Sequence, residues 1–236
     1  MDFLTIQRKL NEFNLDIFTL NDLVKITNQK KDVIKSKLTL FVKQKKVYRI
    51  KKGYYSLKKI ENKFQLQRIF KETYIALHSA LEFYESTTQR FNNLDLVSKN
   101  ILKKQEIMDF KVNFHKVRKN MFFGFKKEIV NNTEIFISNI EKTIIDCVYF
   151  SSKIYLTEVN EFIKIYKDKI NIELIENYLV KINSSTLNKR IGYLLEKEGI
   201  ETRNLRINNK YEKLNINRSE KGIKNKRWKL IINEEI

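Results

Sequence analysis

The chain has 236 residues and a formal net charge of +19, and 42% of its residues are apolar. That length can hold one large domain or two smaller ones with a real core, and the apolar content is too high for a disordered chain. No apolar run approaches the ~20 residues that span a bilayer, the N-terminus lacks a signal-peptide pattern, and the single cysteine excludes an intramolecular disulfide. We therefore expect a soluble, cytoplasmic protein that makes no membrane contact.

The positive charge is concentrated at the two ends of the chain. Residues 1–60 hold 15 lysines and arginines against 5 acidic residues, a balance of +10, and residues 201–236 hold 10 against 5, a balance of +5. The bias of an AT-rich genome explains part of the excess, because Lys, Ile and Asn abound while Pro is absent. It does not explain the clustering, which favours a polyanionic partner, nucleic acid before a membrane surface.

Three helical patterns are predicted at the N-terminus. The first covers residues 3–13. Its apolar face consists of Phe3, Ile6, Leu10 and Phe13. The second follows Thr19, a predicted N-cap, with Asp22 three positions later in the first turn. The third covers about 29–44, and Asn28 is predicted to cap it.

The third helix has a buried stripe opposite a polar, basic face. The stripe consists of Ile34, Leu38 and Phe41. The candidate DNA-contacting residues on or beside the other face are Gln29, Lys30, Lys31, Lys35, Ser36, Thr39 and Lys43. Such a face suits the ~12 Å major groove, because amides and hydroxyls can meet base edges while lysines meet phosphates. Asp32 lies on the same face and repels a phosphate backbone unless it accepts from a cytosine amine.

The stretch "VYRIKKGYYSL", residues 47–57, is predicted to form a β-hairpin whose turn contains Gly53, because glycine tolerates positive φ. The basic residues near its tip are Arg49, Lys51 and Lys52, which complete the candidate DNA-binding set. Helix, helix, polar-faced helix and basic hairpin is the order of a winged helix-turn-helix, predicted here for residues 1–62. The alternative is a small helical module with a solvated hairpin and no role in binding nucleic acid.

Residues 63–236 are predicted to form a larger α+β domain. The predicted elements are a helix over 74–84, strands over 93–99 and 134–139, a helix from Ile140, helices near 157–168, 172–182 and 186–198, and a strand within 227–233. Asn171 and Ser185 are predicted N-caps, and Gly199 is a predicted helix stop. The fold class predicted for the whole chain is α+β.

No catalytic constellation is visible, and we expect a protein without enzyme activity, metal or cofactor. With His78, His115 and one cysteine, the sequence argues against a thiol/imidazole metal site, although a carboxylate site stays open. No glycine-rich phosphate loop exists. His78 and Cys147 are predicted to be packed residues. The helix near 186–198 places Lys189, Arg190 and Tyr193 together. They could form a basic face, but an ordinary solvated surface is the interpretation that we favour.

Several stretches together resemble the AbiEi-type antitoxins, in the order in which that family has them. They are "GYYSL", "YIALHSALEFY", "ISNIEKTIIDCVYF", "NKRIGYLLEKEGI" and "KLNINRSEKGIKNKRWKLIIN". The resemblance implies the antitoxin of a type IV toxin–antitoxin pair that acts in phage defence by abortive infection. It also implies a winged helix that represses the antitoxin's own operon by binding inverted repeats in double-stranded DNA, which requires two copies on DNA.

The resemblance further implies that the second domain counters a nucleotidyltransferase-like toxin without forming a tight complex. The matching residues are Gly53, Tyr54 and Tyr55 in the hairpin, Tyr74 to Leu81, and Glu141, Lys142 and Asp146. The chain departs from the family at Ile140, where a proline is usual, and at Glu85 and Ser86, where a small turn is usual.

Two other functions stay open at this point. One is an interaction protein whose basic ends bind RNA or an acidic protein. The other is an enzyme that acts on nucleic acid or modifies the partner toxin, although Glu141 and Asp146, five residues apart, do not share a helical face.

Overall fold

The structure is a computed structural model that describes residues 2–87 and 92–236. Within these residues the α-helices are α1 (Phe3–Glu12), α2 (Leu20–Thr27), α3 (Lys31–Lys43), α4 (Leu77–Phe83), α5 (Ile140–Tyr149), α6 (Leu156–Tyr166), α7 (Ile172–Ile182) and α8 (Ser185–Lys197). The strands are β1 (Ile17–Thr19), β2 (Tyr48–Lys51), β3 (Tyr54–Ser56), β4 (Thr73–Ile75), β5 (Asn93–Ser98), β6 (Gln105–Ile107), β7 (Phe110–Lys116), β8 (Phe125–Val130), β9 (Thr133–Ser138), β10 (Glu212–Lys213), β11 (Ile223–Asn225) and β12 (Leu230–Ile232). The predicted α+β class is therefore confirmed.

The strands form three sheets, with the orders β1-β3-β2, β6-β7-β5-β4-β9-β8 and β10-β12-β11. In the six-stranded sheet, β4 pairs antiparallel with β5 and parallel with β9, and β5 pairs parallel with β7. None of the helices in the two described ranges has the length and apolar character needed to cross a membrane.

Helices α1, α2 and α3 pack around a core of their own. This core consists of Ile6, Leu10, Phe18, Leu23, Ile34, Leu38, Phe41, Val47 and Leu57. Thr19 and Asp22 form the predicted start of α2 as a reciprocal capping box. The predicted role of Asn28 was wrong, because it takes a left-handed conformation that ends α2 and leaves α3 to begin after Lys30. Phe13 is 59% exposed, since α1 ends at Glu12 before that position can turn inward.

The predicted hairpin is present, with β2 and β3 paired antiparallel around a turn in which Gly53 has a φ of +86°. A third strand, β1, joins its other side through the pair Thr19 and Tyr54. The sequence pattern did not predict β1, because three residues are too few to display an alternation.

The helix predicted over 74–84 was wrong in its first part. Tyr74 and Ile75 belong to β4 in the interior of the six-stranded sheet, and α4 begins only at Leu77. Strand pairing on both sides outweighs the local helical spacing of these apolar residues, because the extended conformation buries both side chains completely.

The other predictions for the larger region are confirmed with small shifts at the ends. Strands β5, β9 and β12 and helices α5 to α8 occur where expected. Asn171 caps α7, but Ser184 caps α8 in place of Ser185. Gly199 follows the last turn of α8 with a φ of +74°, as predicted for a helix stop.

The N-terminal region, residues 2–62, packs directly on the six-stranded sheet. Ile17 and Ile60 lie in one hydrophobic cluster with Leu94, Ile135 and other residues of the sheet face that points away from α5 to α8. The backbone N–H of Asp16 donates to the carbonyl of Asn132 at 3.2 Å. These contacts fix where α3 and the hairpin lie relative to the larger region.

The basic cluster predicted on α8 is buried and neither forms a basic face nor faces solvent. Lys189 is completely buried and donates to Asn208 Oδ1, to the carbonyl of Lys210 and to Glu212 Oε1. Arg190 donates through two nitrogens to the carbonyl of Lys213 at 2.9 and 3.1 Å. These side chains attach the C-terminal segment to α8, and spacing along one helix could not show that a distant segment covers them.

Candidate nucleic-acid interface

The outward face of α3 is exposed along the whole helix. The predicted residues Lys30, Lys31, Lys35, Ser36, Thr39 and Lys43 are all exposed or half-exposed on this side. Gln29 is half-buried just before the helix, and its side-chain oxygen has no hydrogen-bond partner among the described residues. At 1.5 Å per residue, the 13 residues of α3 present a face about 20 Å long.

The hydroxyl groups of Ser36 and Thr39 on this face donate hydrogen bonds to carbonyl groups of the helix itself. Ser36 donates to the carbonyl of Asp32 at 3.0 Å, and Thr39 donates to the carbonyl of Lys35 at 3.0 Å. Each hydroxyl oxygen keeps lone pairs that point outward as acceptors. Together with the exposed carboxylate of Asp32, the face offers acceptors suited to the amino groups of adenine and cytosine.

Two apolar side chains interrupt this polar face. Val33 is 44% exposed and Leu40 is 49% exposed, one on each side of Ser36 along the helix. The sequence analysis did not select them, although the same helical wheel that buries Ile34 and Leu38 places both outside. Exposed branched side chains on a helix surrounded by lysines can meet thymine methyl groups by apolar contact.

The hairpin presents Arg49 and Lys52 to solvent, as predicted. Lys51 lies apart from them, because its Nζ donates to Gln105 Oε1 at 2.6 Å and stands 5.2 Å from the centre of the Phe70 ring. Lys51 therefore links the hairpin to the six-stranded sheet, and the structure does not place it with the other predicted DNA contacts.

A groove of about 530 Å³ continues the α3 surface toward the larger region. Its walls come from the start of α2, the first turn of α3, the hairpin turn and the segment after residue 67. The basic lining residues are Lys25, Lys31, Arg68 and Lys71. Across the described residues none of these four side chains has a hydrogen bond, ion pair or ring contact.

One acidic residue, Asp22, also lines the groove, and its carboxylate is already used in the capping box with Thr19 at 2.8 and 2.9 Å. Lys25, Arg68 and Lys71 were missed by the sequence analysis. The exposed side of α2 could have indicated Lys25. Arg68 and Lys71 lie beyond the predicted boundary at residue 62, and only tertiary packing brings them to this groove.

Three of the residues of the second region that match the AbiEi pattern, Tyr74, Lys142 and Asp146, are joined by hydrogen bonds. Lys142 Nζ donates to Asp146 Oδ1, and the Tyr74 hydroxyl donates to Asp146 Oδ2 at 2.9 Å. All three side chains are fully buried. Burial lowers the pKa of Lys142 and raises the pKa of Asp146, and the attraction between the two opposes both shifts.

Glu141 has a different position from Asp146, since it accepts the backbone N–H of Asn171 at 2.9 Å and so ties α5 to the start of α7. The two carboxylates thus have separate partners. The hydrogen bonds among Tyr74, Lys142 and Asp146 join β4 to α5 inside the protein, and Glu141 separately joins α5 to the residue before α7.

No protein-family model matches the chain, and no curated protein matches it in sequence. Among solved structures, it is similar to the RV2827C protein from Mycobacterium tuberculosis, with a TM-score of 0.61. The superposition covers 96% of this chain and 89% of that one, at 11% sequence identity. At this identity the similarity shows a shared fold, which extends over nearly the whole chain.

Proposed function

We propose that this protein is a sequence-specific repressor that binds double-stranded DNA, with residues 1–62 as a winged helix-turn-helix and β2 and β3 as the wing. Two observations carry the proposal: the exposed face of α3, and the groove at its first turn, whose four basic lining side chains have no hydrogen bond, ion pair or ring contact in the described residues. An ordinary solvated surface has no need for unpaired lysines around a concave groove, whereas a phosphate backbone neutralises them and releases its counterions.

In this proposal α3 lies in the major groove. Asp32, Ser36 and Thr39 accept from base amino groups, while Val33 and Leu40 contact thymine methyl groups. Such contacts specify sequence, since each base pair displays its own pattern of donors, acceptors and methyl groups in the major groove.

The cations around this face bind phosphates and set the orientation of the helix. On one side they are Lys25, Lys31, Arg68 and Lys71 in the groove. Outside the groove they are the exposed side chains of Lys43 on α3 and of Arg49 and Lys52 on the hairpin. Two copies on an inverted repeat would place their α3 helices about 34–36 Å apart, one turn of the duplex.

Titration of the full chain against the duplex upstream of its own gene, at several salt concentrations, tests this proposal. If six or more phosphates are neutralised, affinity falls about 10³-fold between ~50 and 200 mM salt. A Lys116→Gln, Lys197→Gln variant is the matched control, because both lysines are exposed and lie outside the groove. A flat salt dependence, or tighter binding to single-stranded RNA, would contradict the proposal and favour an RNA-binding interaction protein.

The second part of the proposal is an antitoxin role for the larger region, residues 63–236. The resemblance to AbiEi-type antitoxins supports it, through Tyr74, Lys142 and Asp146, which meet in one buried network. In this role the protein counters a nucleotidyltransferase-like toxin in the cytoplasm without staying bound to it.

Co-expression with a nucleotidyltransferase encoded beside its gene tests the antitoxin role. We expect wild type and a Lys31→Gln, Lys35→Gln variant to restore growth equally, because the DNA-binding face is not used. We also expect the two purified proteins not to co-elute. Loss of rescue in this variant would show that neutralisation acts through DNA binding.

A further inference from the structure

Both histidines of the chain line one cleft on the larger region, although they lie 37 positions apart in the sequence, at 78 and 115. The cleft has a volume of about 340 Å³. Its lining residues are Leu77, His78, Asn93, Asp95, Lys104, Asn113, Phe114, His115 and Lys153. They come from the start of α4, from the neighbouring strands β5 and β7, and from two segments outside helices and strands.

His115 is held in place by a carboxylate. Its Nε2 lies 2.9 Å from Asp95 Oδ1, and the same oxygen accepts from Asn113 Nδ2 at 3.1 Å. Burial alone would raise the pKa of Asp95, but the hydrogen bond and charge of His115, with the hydrogen bond from Asn113, lower it below its ordinary value. Asp95 is therefore ionised at neutral pH, and it fixes Nε2 of the imidazole as the donor while Nδ1 remains for another partner.

His78 lines the same cleft from the start of α4 and lies near a second carboxylate. Its Nε2 stands 3.3 Å from Glu158 Oε2 of α6, and both side chains are about one-quarter exposed. The charge of His78 also contributes to lowering the pKa of Asp95, so the two histidine–carboxylate pairs lie close enough to interact. The sequence analysis expected His78 to be packed in a helix; it does lie in α4, half-buried, and there it also lines this cleft.

The rim adds two cations that nothing in the described residues neutralises. Lys104 and Lys153 are exposed, and neither side chain has a hydrogen bond, ion pair or ring contact there. With the histidines neutral, the two lysines balance Asp95 and Glu158. Protonation of both histidines makes the lining positive by two charges, so that an anion and protons would bind together.

We propose that this cleft binds a phosphomonoester group, as free phosphate or as part of a small phosphorylated metabolite. A phosphate dianion offers three acceptor oxygens, which match donors spread over two imidazoles and two ammonium groups. The cleft has room for a sugar or nucleoside attached to the phosphate. A histidine–carboxylate pair that served only to join β5 and β7 would not require a second such pair and two unpaired lysines around the same space.

Charged groups near these histidines come from several packed elements. Asp95 and Lys104 belong to the sheet side, Glu158 to α6 and Lys153 to the segment before it. The buried Lys142–Asp146 pair is also near enough for the charge of His115 to lower the pKa of Asp146, against the larger effect of burial, which raises it.

Proton NMR of the full chain tests the proposal directly, because two histidines give two resolvable imidazole Cε1–H signals. At pH 6.5, added inorganic phosphate is expected to move both signals toward their protonated positions. Sodium chloride at equal ionic strength is expected to move neither. Adenosine 5′-monophosphate should displace both signals at a lower concentration than phosphate if the cleft also holds the nucleoside. Adenosine alone should displace neither signal.

The variant Lys104→Gln, Lys153→Gln is expected to weaken phosphate binding at least about tenfold, since it removes two charge-assisted hydrogen-bond donors. The control variant Lys116→Gln, Lys197→Gln keeps wild-type binding. Both variants change exposed residues and keep the fold.

The proposal is overturned if phosphate moves only one histidine signal or neither, if sodium chloride gives the same displacement, or if the Lys104 and Lys153 variant responds like wild type. Adenosine that acts as strongly as its phosphate would also overturn it. The result is independent of DNA binding, because the cleft shares no lining residue with the groove beside α3.

Discussion

Helices α3 and α8 have the same length, 13 residues, and both carry lysines among small polar residues, yet they use them in opposite ways. On α3, Lys31 and Lys35 are exposed and have no partner in the described residues. On α8, Lys189 is completely buried with three acceptors around its ammonium group. The comparison teaches that a basic helix is a candidate for binding a partner only when no acceptor or carboxylate of its own chain pairs with its lysines.

The largest effect predicted by this comparison is on stability. Lys189→Ala removes a buried cation together with its hydrogen bonds to Glu212, Asn208 and the carbonyl of Lys210, which should cost about 3 kcal/mol of unfolding free energy. Chemical denaturation measures it. The matched change on α3, Lys35→Ala, should stay within about 0.5 kcal/mol. Equal costs for the two variants would remove the distinction between the helices.

For α3 the expected effect is on DNA binding and not on stability. Lys31→Gln, Lys35→Gln should lower the slope of log affinity against log salt by about 2, one for each phosphate that the variant no longer neutralises, with unchanged stability. Binding to specific and shuffled duplexes should fall by the same factor, because phosphates carry no sequence information. A slope equal to that of wild type would show that α3 lies away from the backbone.

Lys71, a cation of the larger region, tests whether the groove beside α3 belongs to the DNA interface. Lys71→Gln should lower the salt slope by about 1, because Lys71 lines the groove beside α3 although it lies outside the predicted winged helix. Lys51→Gln is its counterpart on the hairpin. Since Lys51 bonds Gln105, its replacement should leave the slope unchanged and reduce stability slightly. The reverse pattern would contradict the position of the groove in the interface.

A fourth prediction uses the pH dependence of stability to test the ion pair between Lys189 of α8 and Glu212. Burial would raise the pKa of Glu212, but hydrogen bonds from Thr186 and Lys189 and the charge of Lys189 lower it. A carboxyl with a lowered folded-state pKa contributes stability above its ordinary pKa and loses it as the pH falls through the lowered value. Glu212→Gln should therefore flatten the acid side of the stability profile measured by chemical denaturation at several pH values. An acid side as steep as that of wild type would contradict this expectation.

The sequence predicted the elements that depend on local chemistry. The capping box at Thr19, the hairpin turn at Gly53 and the stripe through Ile34 follow from rules that act over a few residues. Strand β4 was missed because Tyr74 and Ile75 take their conformation from neighbours in the sheet. The boundary proposed at residue 62 likewise could not reveal that Ile17 and Ile60 share a core with the larger region.

In the candidate sites, too, some residues could be predicted from local sequence and others depend on tertiary packing. The lysines of α3 were found because a helical wheel separates them from a buried stripe. Arg68 and Lys71 reach the groove through tertiary packing, and His78 and His115 meet in one cleft through the order of β5 and β7 in the sheet. Even Gly192 has a tertiary reason, since a side chain there would collide with Trp228 of the distant C-terminal segment.

The central claim is that the exposed face of α3 binds duplex DNA in a sequence-dependent way. The most direct measurement is a competition at ~150 mM salt between the duplex upstream of the gene and a shuffled duplex of equal composition. We predict at least a ~10³-fold preference for the upstream duplex, reduced by roughly tenfold in Ser36→Ala, Thr39→Ala, because that variant can no longer accept from the base amino groups. Equal affinity for the two duplexes in wild type, or a preference that both alanines leave intact, would contradict the account.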